Sequence, residues 1–408
     1  MAAQFYFSRD TKVYLTPAGS TAVAWEIPVL DGFSFSQATN TSEITLAEAS
    51  SGTNKSRRGR QMFTDSFAPA EWSFSTYMRP FLGRGDSGES GVTGVDAGAN
   101  DWETSTVAAN KMHAVEEALW AFFVGASTFT AASGSTAGSW NDGVTNGTSD
   151  LVFDWTASEI SALTEFDLYF ELGGATSGND VCYKLANCAV NEASIDFDID
   201  GIATIAWSGF GKLITESGTA TPSFTKEITE GTDTTSNFIR NRLTNLGITA
   251  ADTSTFPGAG SGVYNLVLTG GNVTISNNLT YLTPETLGIV NQPLGNVTGT
   301  RSISGNFTCY LDHTSGASAD LFEDLIENTS GASSITNSFD LTFGIGGASG
   351  VTPNVQIELP KCHFEVPAHS MDDIISLETN FHALPANLDP GTTANDYEIK
   401  VTYKGALA

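Results

Sequence analysis

The 408-residue chain carries 46 Asp and Glu against 18 Lys and Arg, a net charge of -28 that repels polyanions and disfavours specific nucleic-acid binding. Its length gives room for two domains that bury cores without metals or disulfides, and only 16% of residues are charged amid abundant Ser, Thr, Asn and Gly, which suits strands joined by turns. No stretch approaches the roughly 18 apolar residues of a membrane span, and MAAQFYFSRDTKVYL lacks a basic start followed by an apolar run, so a soluble, unsecreted chain is expected.

Along the chain, FYFSRDTKVYLT opens a series of segments whose apolar residues alternate with polar ones, including Phe33 and Phe35, then Ile44 and Leu46. A period near two argues for half-buried antiparallel strands. The basic run NKSRRGR follows, with Lys55, Arg57, Arg58 and Arg60, and then the strand pattern WSFSTYM. Residues 83–110 and 128–150 are Gly/Ser/Thr-rich and acidic and read as exposed loops. Between them, HAVEEALWAFF places Val115, Leu119, Phe122 and Phe123 at helical spacing. FDLYFELGG and SIDFDIDG continue as strands; the second sets Ile195, Phe197 and Ile199 on one face and Asp196, Asp198 and Asp200 on the other. A second helix is expected in SADLFEDLIE, with Ser318 as its cap. The four cysteines (Cys182, Cys188, Cys309, Cys362) show no metal or CxxC spacing and read as small buried apolar residues.

Four blocks recur in order. Residues 5–16 match 238–249, residues 30–40 match 268–278, WSFSTYM matches GNFTCYL, and FDLYFELGG matches FDLTFGIGG; Cys188 then falls on Cys362 and Trp207 on Phe381. One such match in a Thr/Ser/Gly-rich chain is cheap, whereas four in register imply duplication. The expected domains are 1–212 and 238–408, with 213–237 as a linker or arm. Each is several strands, one amphipathic helix, then more strands, a mainly β fold whose helix covers a sheet or barrel.

This organisation, including LTYLTPETLG followed by GTRSISGNFTCYL, resembles the tail tube (major tail) proteins of long-tailed bacteriophages. The resemblance implies a β-sandwich or barrel with one flanking helix per domain, two fused tube domains per chain, and rings of three chains with pseudo-sixfold symmetry. The rings would stack into a conduit for DNA ejection in the virion tail, assembled in the host cytoplasm. Partners would be further copies of the chain and other tail proteins (tape measure, terminator, baseplate or tip), with DNA passing unbound and no membrane.

On that reading Asp196, Asp198 and Asp200, with Asp372, Asp373 and Glu378 near equivalent positions, line the lumen as a negative wall. The alternative is an ordinary solvated strand face. Lys55, Arg57, Arg58 and Arg60 would contact the acidic face of the adjacent ring, the alternative being a plain surface loop. D-x-D-x-D-G at Asp196 fails as a calcium loop because Trp207 stands where a bidentate Glu is needed. No catalytic or metal-binding pattern occurs, and no cofactor is expected: the five histidines have no ligand spacing, and neither GxSxG nor GxxxxGK[ST] is present. A glycosidase's two carboxylates would leave no signature. A surface-array adhesion protein and a carbohydrate-binding module are the other readings; the first lacks a signal peptide, and the second calls for exposed tryptophans near one site.

Overall fold

The computed structural model describes residues 5–19, 23–44, 50–51, 55–56, 61–83, 111–126, 128–130, 139–147, 149–155, 162–173, 180–218, 225–228, 238–251, 256–258, 260–331, 338–347, 353–370, 374–385 and 398–405. The fold is mainly β. In the first half run β1 (Lys12–Pro17), β2 (Val23–Ile27), β3 (Ser34–Ile44), the short β4 (Ser50–Ser51) and β5 (Lys55–Ser56), and the long β6 (Gln61–Tyr77). Then come β7 (Pro80–Gly83), β8 (Lys111–Ala114), α1 (Glu117–Val124), β9 (Phe129–Thr130), β10 (Ser139–Trp140), β11 (Val144–Asn146) and β12 (Asp150–Asp154). β13 (Phe166–Leu172), β14 (Val181–Asp198), β15 (Thr204–Gly211), β16 (Leu213–Gly218) and β17 (Thr225–Ile228) follow. The second half has β18 (Asn245–Ala250), β19 (Val263–Asn265), β20 (Leu268–Ser276), β21 (Thr280–Leu282), β22 (Gly295–Val297), β23 (Ser302–Tyr310) and α2 (Ser318–Gly331). It closes with β24 (Phe339–Ile345), β25 (Asn354–Phe364), β26 (Ala368–Ser370), β27 (Ser376–Ala383) and β28 (Lys400–Lys404). Among the described residues no helix is long and apolar enough to cross a membrane.

One antiparallel sheet crosses the whole chain in the order β3–β6–β15–β14–β20–β23–β27–β26. β14 makes this possible by its length. Its first part pairs with β13 and β16, and its second with β15 and, in the other half, β20. A second layer backs each half: β2–β1–β13 with β14 and β16, and β19–β18–β24–β25 with β28. β28 also pairs with β12, so a strand of the second half completes a sheet of the first. Between the layers lies an apolar core in which Trp72, Phe74, Ile195, Trp207, Phe307 and Phe381 are almost wholly buried.

The pairing registers of the two halves run in parallel. Phe35 pairs with Trp72; adding 238 to the first number and 233 to the second gives Val273 and Gly305, which also pair. Phe166 faces Cys188, and adding 173 and 174 gives Phe339 and Cys362, again paired, with the register irregularity directly after it in both halves. The Cys188 and Cys362 thiols even address the same relative carbonyls, Leu185 O and Leu359 O. The match of Trp207 with Phe381 does not hold. Phe74 pairs with Trp207 and its counterpart Phe307 with Thr379, while Phe381 lies against Gly305, in the place Gly209 takes against Trp72. The sequence match carried the Cys188 spacing through to β15, but the register there is two residues shorter.

Each helix sits differently. α1 is buried along its whole length, with Trp120 edge-on to Trp207 at 4.8 Å, so it is a core element and not an amphipathic cover. α2 is amphipathic: Leu321 and Leu325 are buried and Ile326 is exposed. Ser318 does not cap α2 as expected. Its hydroxyl donates to Tyr310 O and accepts from Asp312 N–H, tying the incoming turn instead. Within 128–150, read as exposed loop, Phe129 and Trp140 pack on Trp25, the Trp140 ring stacked at 5.0 Å, and Val144 is buried in β11. The segment 213–237 is not simply a linker either, since β16 pairs with β14 and β17 runs parallel to β2.

Candidate functional site

The eight-stranded sheet has one core face and one outward face, and alternation along each strand decides which residues reach which. Residues directly opposite in register share a face. Tyr77, Thr204, Asp196, Asn272, Asn306 and Asn380 therefore form one row running across six strands. At about 4.8 Å per strand the row spans about 24 Å. The row beside it reads Ser75, Ala206, Ser194, Thr274, Ser304 and His382, and the next Ser34, Ser73, Ser208, Glu192, Ser276 and Ser302. Hydrogen bonds link neighbours along these rows, Ser34 with Ser73 at 2.8 Å and Ser194 with Thr274 at 3.2 Å.

Small hydroxyl and amide side chains thus pave the face, and its charge comes from carboxylates: Glu71, Glu192, Asp196, Asp198 and Glu378. No Lys or Arg occurs in β3, β6, β15, β20, β23, β26 or β27, nor in 192–198 of β14. Glu365 at the β26 end accepts from Asn380 Nδ2 at 2.9 Å and contacts His382 Nε2 at 3.4 Å; these contacts hold its carboxyl below the usual range. Along these strands the surface presents negative potential and hydrogen-bonding groups and carries no Lys or Arg to hold a phosphate.

Asp196 and Asp198 alternate with buried Ile195 and Phe197, as the period-two pattern requires. The ladder stops there. β14 ends at Asp198, whose carboxylate accepts the Ile199 N–H at 2.6 Å; Ile199 is exposed, and Asp200 lies in a turn that passes through Gly201 at φ 111. Glu378 is exposed on the same face, in a row with Thr308, Gly270 and Asp198, but on β27, where register makes it the counterpart of Ala206. Asp372 and Asp373 lie outside the described residues, as do Arg57, Arg58 and Arg60, and of Lys55 only the backbone in β5 is described. The Ser, Thr and Asn rows, with Glu71 and Glu192, were not singled out from sequence. Their signal is polar alternation within strands, which becomes a surface only once register lines the strands up.

Two further features frame the face. At its edges β3 pairs only with β6 and β26 only with β27 among the described residues. From one end project two arms, the β3–β6 extension and the hairpin β21–β22, joined by Phe67 N–H to Asn291 O at 2.9 Å and Asn291 N–H to Asp65 O at 3.1 Å. They expose Met62, Phe63, Leu287, Ile289 and Leu294, Leu287 at 99%. The six described tryptophans, by contrast, are all buried and offer no platform for a sugar ring.

No family model matches the chain. It is 28% identical over 370 residues to the tail tube protein pb6 of Escherichia phage T5, an alignment that covers 90% of this chain and 69% of that protein. The resemblance to phage tail tube proteins read from the sequence is therefore borne out by a relative aligned along nearly the whole chain.

Proposed function

We propose that this protein is a structural subunit of a phage tail tube, that its halves 1–212 and 238–408 are diverged copies of one tube domain, and that three chains close each ring. The observation that carries this reading is the continuous eight-stranded sheet with a polar, carboxylate-bearing outer face, whose edge strands β3 and β26 have no second partner among the described residues. Joining β26 of one chain to β3 of the next extends the sheet in the way β14 meets β20 inside the chain. Transferring that register pairs Ala368 with Ser36 and Ser370 with Ser34, which keeps the polar face continuous. Three chains of eight strands give a wall of twenty-four.

With the polar face inward, a DNA backbone meets repulsion and weak hydrogen bonds in place of Lys or Arg contacts, so it passes during ejection without being held. Rings stack head to tail through the two arms, the basic run Lys55, Arg57, Arg58 and Arg60 meeting the acidic adjacent ring while the exposed apolar tips are covered. Other tail proteins would engage the end rings of this virion component, which would be assembled in the host cytoplasm. The geometry favours a structural role over catalysis. Negative-stain microscopy of purified protein tests the proposal: rings or tubes with a central hole of a few nanometres are expected, and monomers at high concentration would overturn it. Changing Arg57, Arg58 and Arg60 to Glu should leave rings but abolish tubes at ordinary salt.

A further inference from the structure

We infer that the aromatic segment 5–7 of one chain docks on Tyr310, Ile374 and Ile375 of a second copy, repeating between chains a joint that the protein already makes within one chain. This rests on the ring reading above and names the residues that hold its rings together. The internal joint is formed where the second half begins. Phe238 lies edge-on to Tyr77 with ring centroids 5.2 Å apart, Ala203 N–H donates to Ile239 O at 2.8 Å, and Asn241 N–H donates to Gly201 O at 3.2 Å. Ile202 bridges to Arg240, and both Ile239 and Ala203 are 1% exposed.

The same local chain path occurs at the start of the first half. A 3-10 turn at Ser8–Asp10 leads into β1, as the turn Asn241–Leu243 leads into β18, with an offset of 233 residues in both. Phe5, Tyr6 and Phe7 therefore stand where Phe238, Ile239 and Arg240 stand, yet they are 66%, 50% and 40% exposed. The complementary surface is exposed as well. Tyr310 holds the place of Tyr77, and the β15-to-β27 register puts Ile374 and Ile375 in the places of Ile202 and Ala203; they are 40%, 63% and 37% exposed.

Two apolar sets on different halves are thus the counterparts of two sets that pack together at the internal joint. Each is the natural cover of the other, and because they are different surfaces the contact is head to tail and propagates until a ring closes. It places the Phe5 ring against Tyr310 and directs the Ile375 N–H at Tyr6 O of the neighbouring copy.

The test is a double variant, Tyr6→Cys with Ile375→Cys, oxidised mildly after assembly; the four native thiols are buried and stay out of the reaction. Most chains should run as covalent trimers on a non-reducing gel and return to monomers with reductant, while each single variant remains monomeric. Rings that are visible by microscopy but stay uncross-linked would overturn the docking and leave the ring reading standing. Wild-type protein that forms no rings would remove both. Should the double variant itself fail to assemble, Phe5→Ala with Phe7→Ala decides: an unchanged unfolding midpoint with at least tenfold lower ring yield supports the docking, and undiminished yield refutes it.

Discussion

The two halves solve the same packing problem with opposite assignments. In the first, Trp72 on β6 lies over Gly209 on β15; in the second, Gly305 on β23 lies under Phe381 on β27. A Cβ added at Gly209 would come within 2.5 Å of the Trp72 ring, and one added at Gly305 within 2.6 Å of the Phe381 ring. The backbone of the adjoining strand lies closer still, Ala189 O at 2.2 Å from the one and Asn272 O at 2.1 Å from the other, so each glycine is required by that carbonyl as well as by the aromatic across from it, and the large partner changes strands between the halves. What the two halves hold in common is a filled space between two sheets; the residue identity at any one position differs.

Breaking this arrangement should have the largest effect. Trp72→Gly empties the pair and should cost about 3–5 kcal/mol of stability, read from urea unfolding. Gly209→Phe should cost less in that variant than in the native chain, because the clash with the Trp72 ring is gone and only the one with Ala189 O, 2.2 Å from the new Cβ, remains. If the two substitutions are simply additive, the reciprocal pairing has no energetic content.

The helices offer the next test. Tyr403 donates to the buried Glu116 at 2.6 Å just before α1, and Tyr264 donates to Asp324 of α2 at 2.5 Å. Burial, opposed by the Tyr403 hydrogen bond and by Arg79, raises the Glu116 carboxyl from 4.5 to about 7. The folded state therefore holds a proton that the unfolded chain releases, so this contribution is complete below pH 4.5 and is lost as pH rises through about 7. Stability should fall by about 3 kcal/mol across that window on account of this group, and Glu116→Gln should flatten the fall in a pH series of denaturation curves. In the second half, Tyr264→Phe removes one hydrogen bond to a half-buried carboxylate and should cost only about 1–2 kcal/mol. Smallest is Asp196→Asn. It swaps a solvated carboxylate for the amide that Asn272, Asn306 and Asn380 already present in the same row, and should change stability by less than about 0.5 kcal/mol.

Much of this architecture is legible in the sequence, because strands paired in the same register in the two halves keep the same spacing along the chain. The offsets of 238 and 233 between matching blocks reappear as sheet register. The match fails at Trp207 and Phe381, where two aromatics coincide in the string but face different partners, since an exchange of large and small across a sheet leaves no trace in either strand alone. Composition misleads at 128–150, where Gly, Ser and Thr outnumber the few aromatics that fix the segment to Trp25. For the outer face, period two identifies Asp196 and Asp198, but the Asn and Ser rows are assembled from distant strands, and no local pattern reports that they are neighbours.

β28 has a consequence for timing. It fills the place between β12 and β25, with Asp150 paired to Lys404, so the first half cannot complete that sheet until the ribosome has delivered residue 404. A nascent chain with only its first half emerged would hold an unfinished sheet, and contacts this distant in sequence form slowly. Completion of the first half's sheet is thereby delayed until synthesis of both halves is done, and the edge that β12 would otherwise present is covered only then.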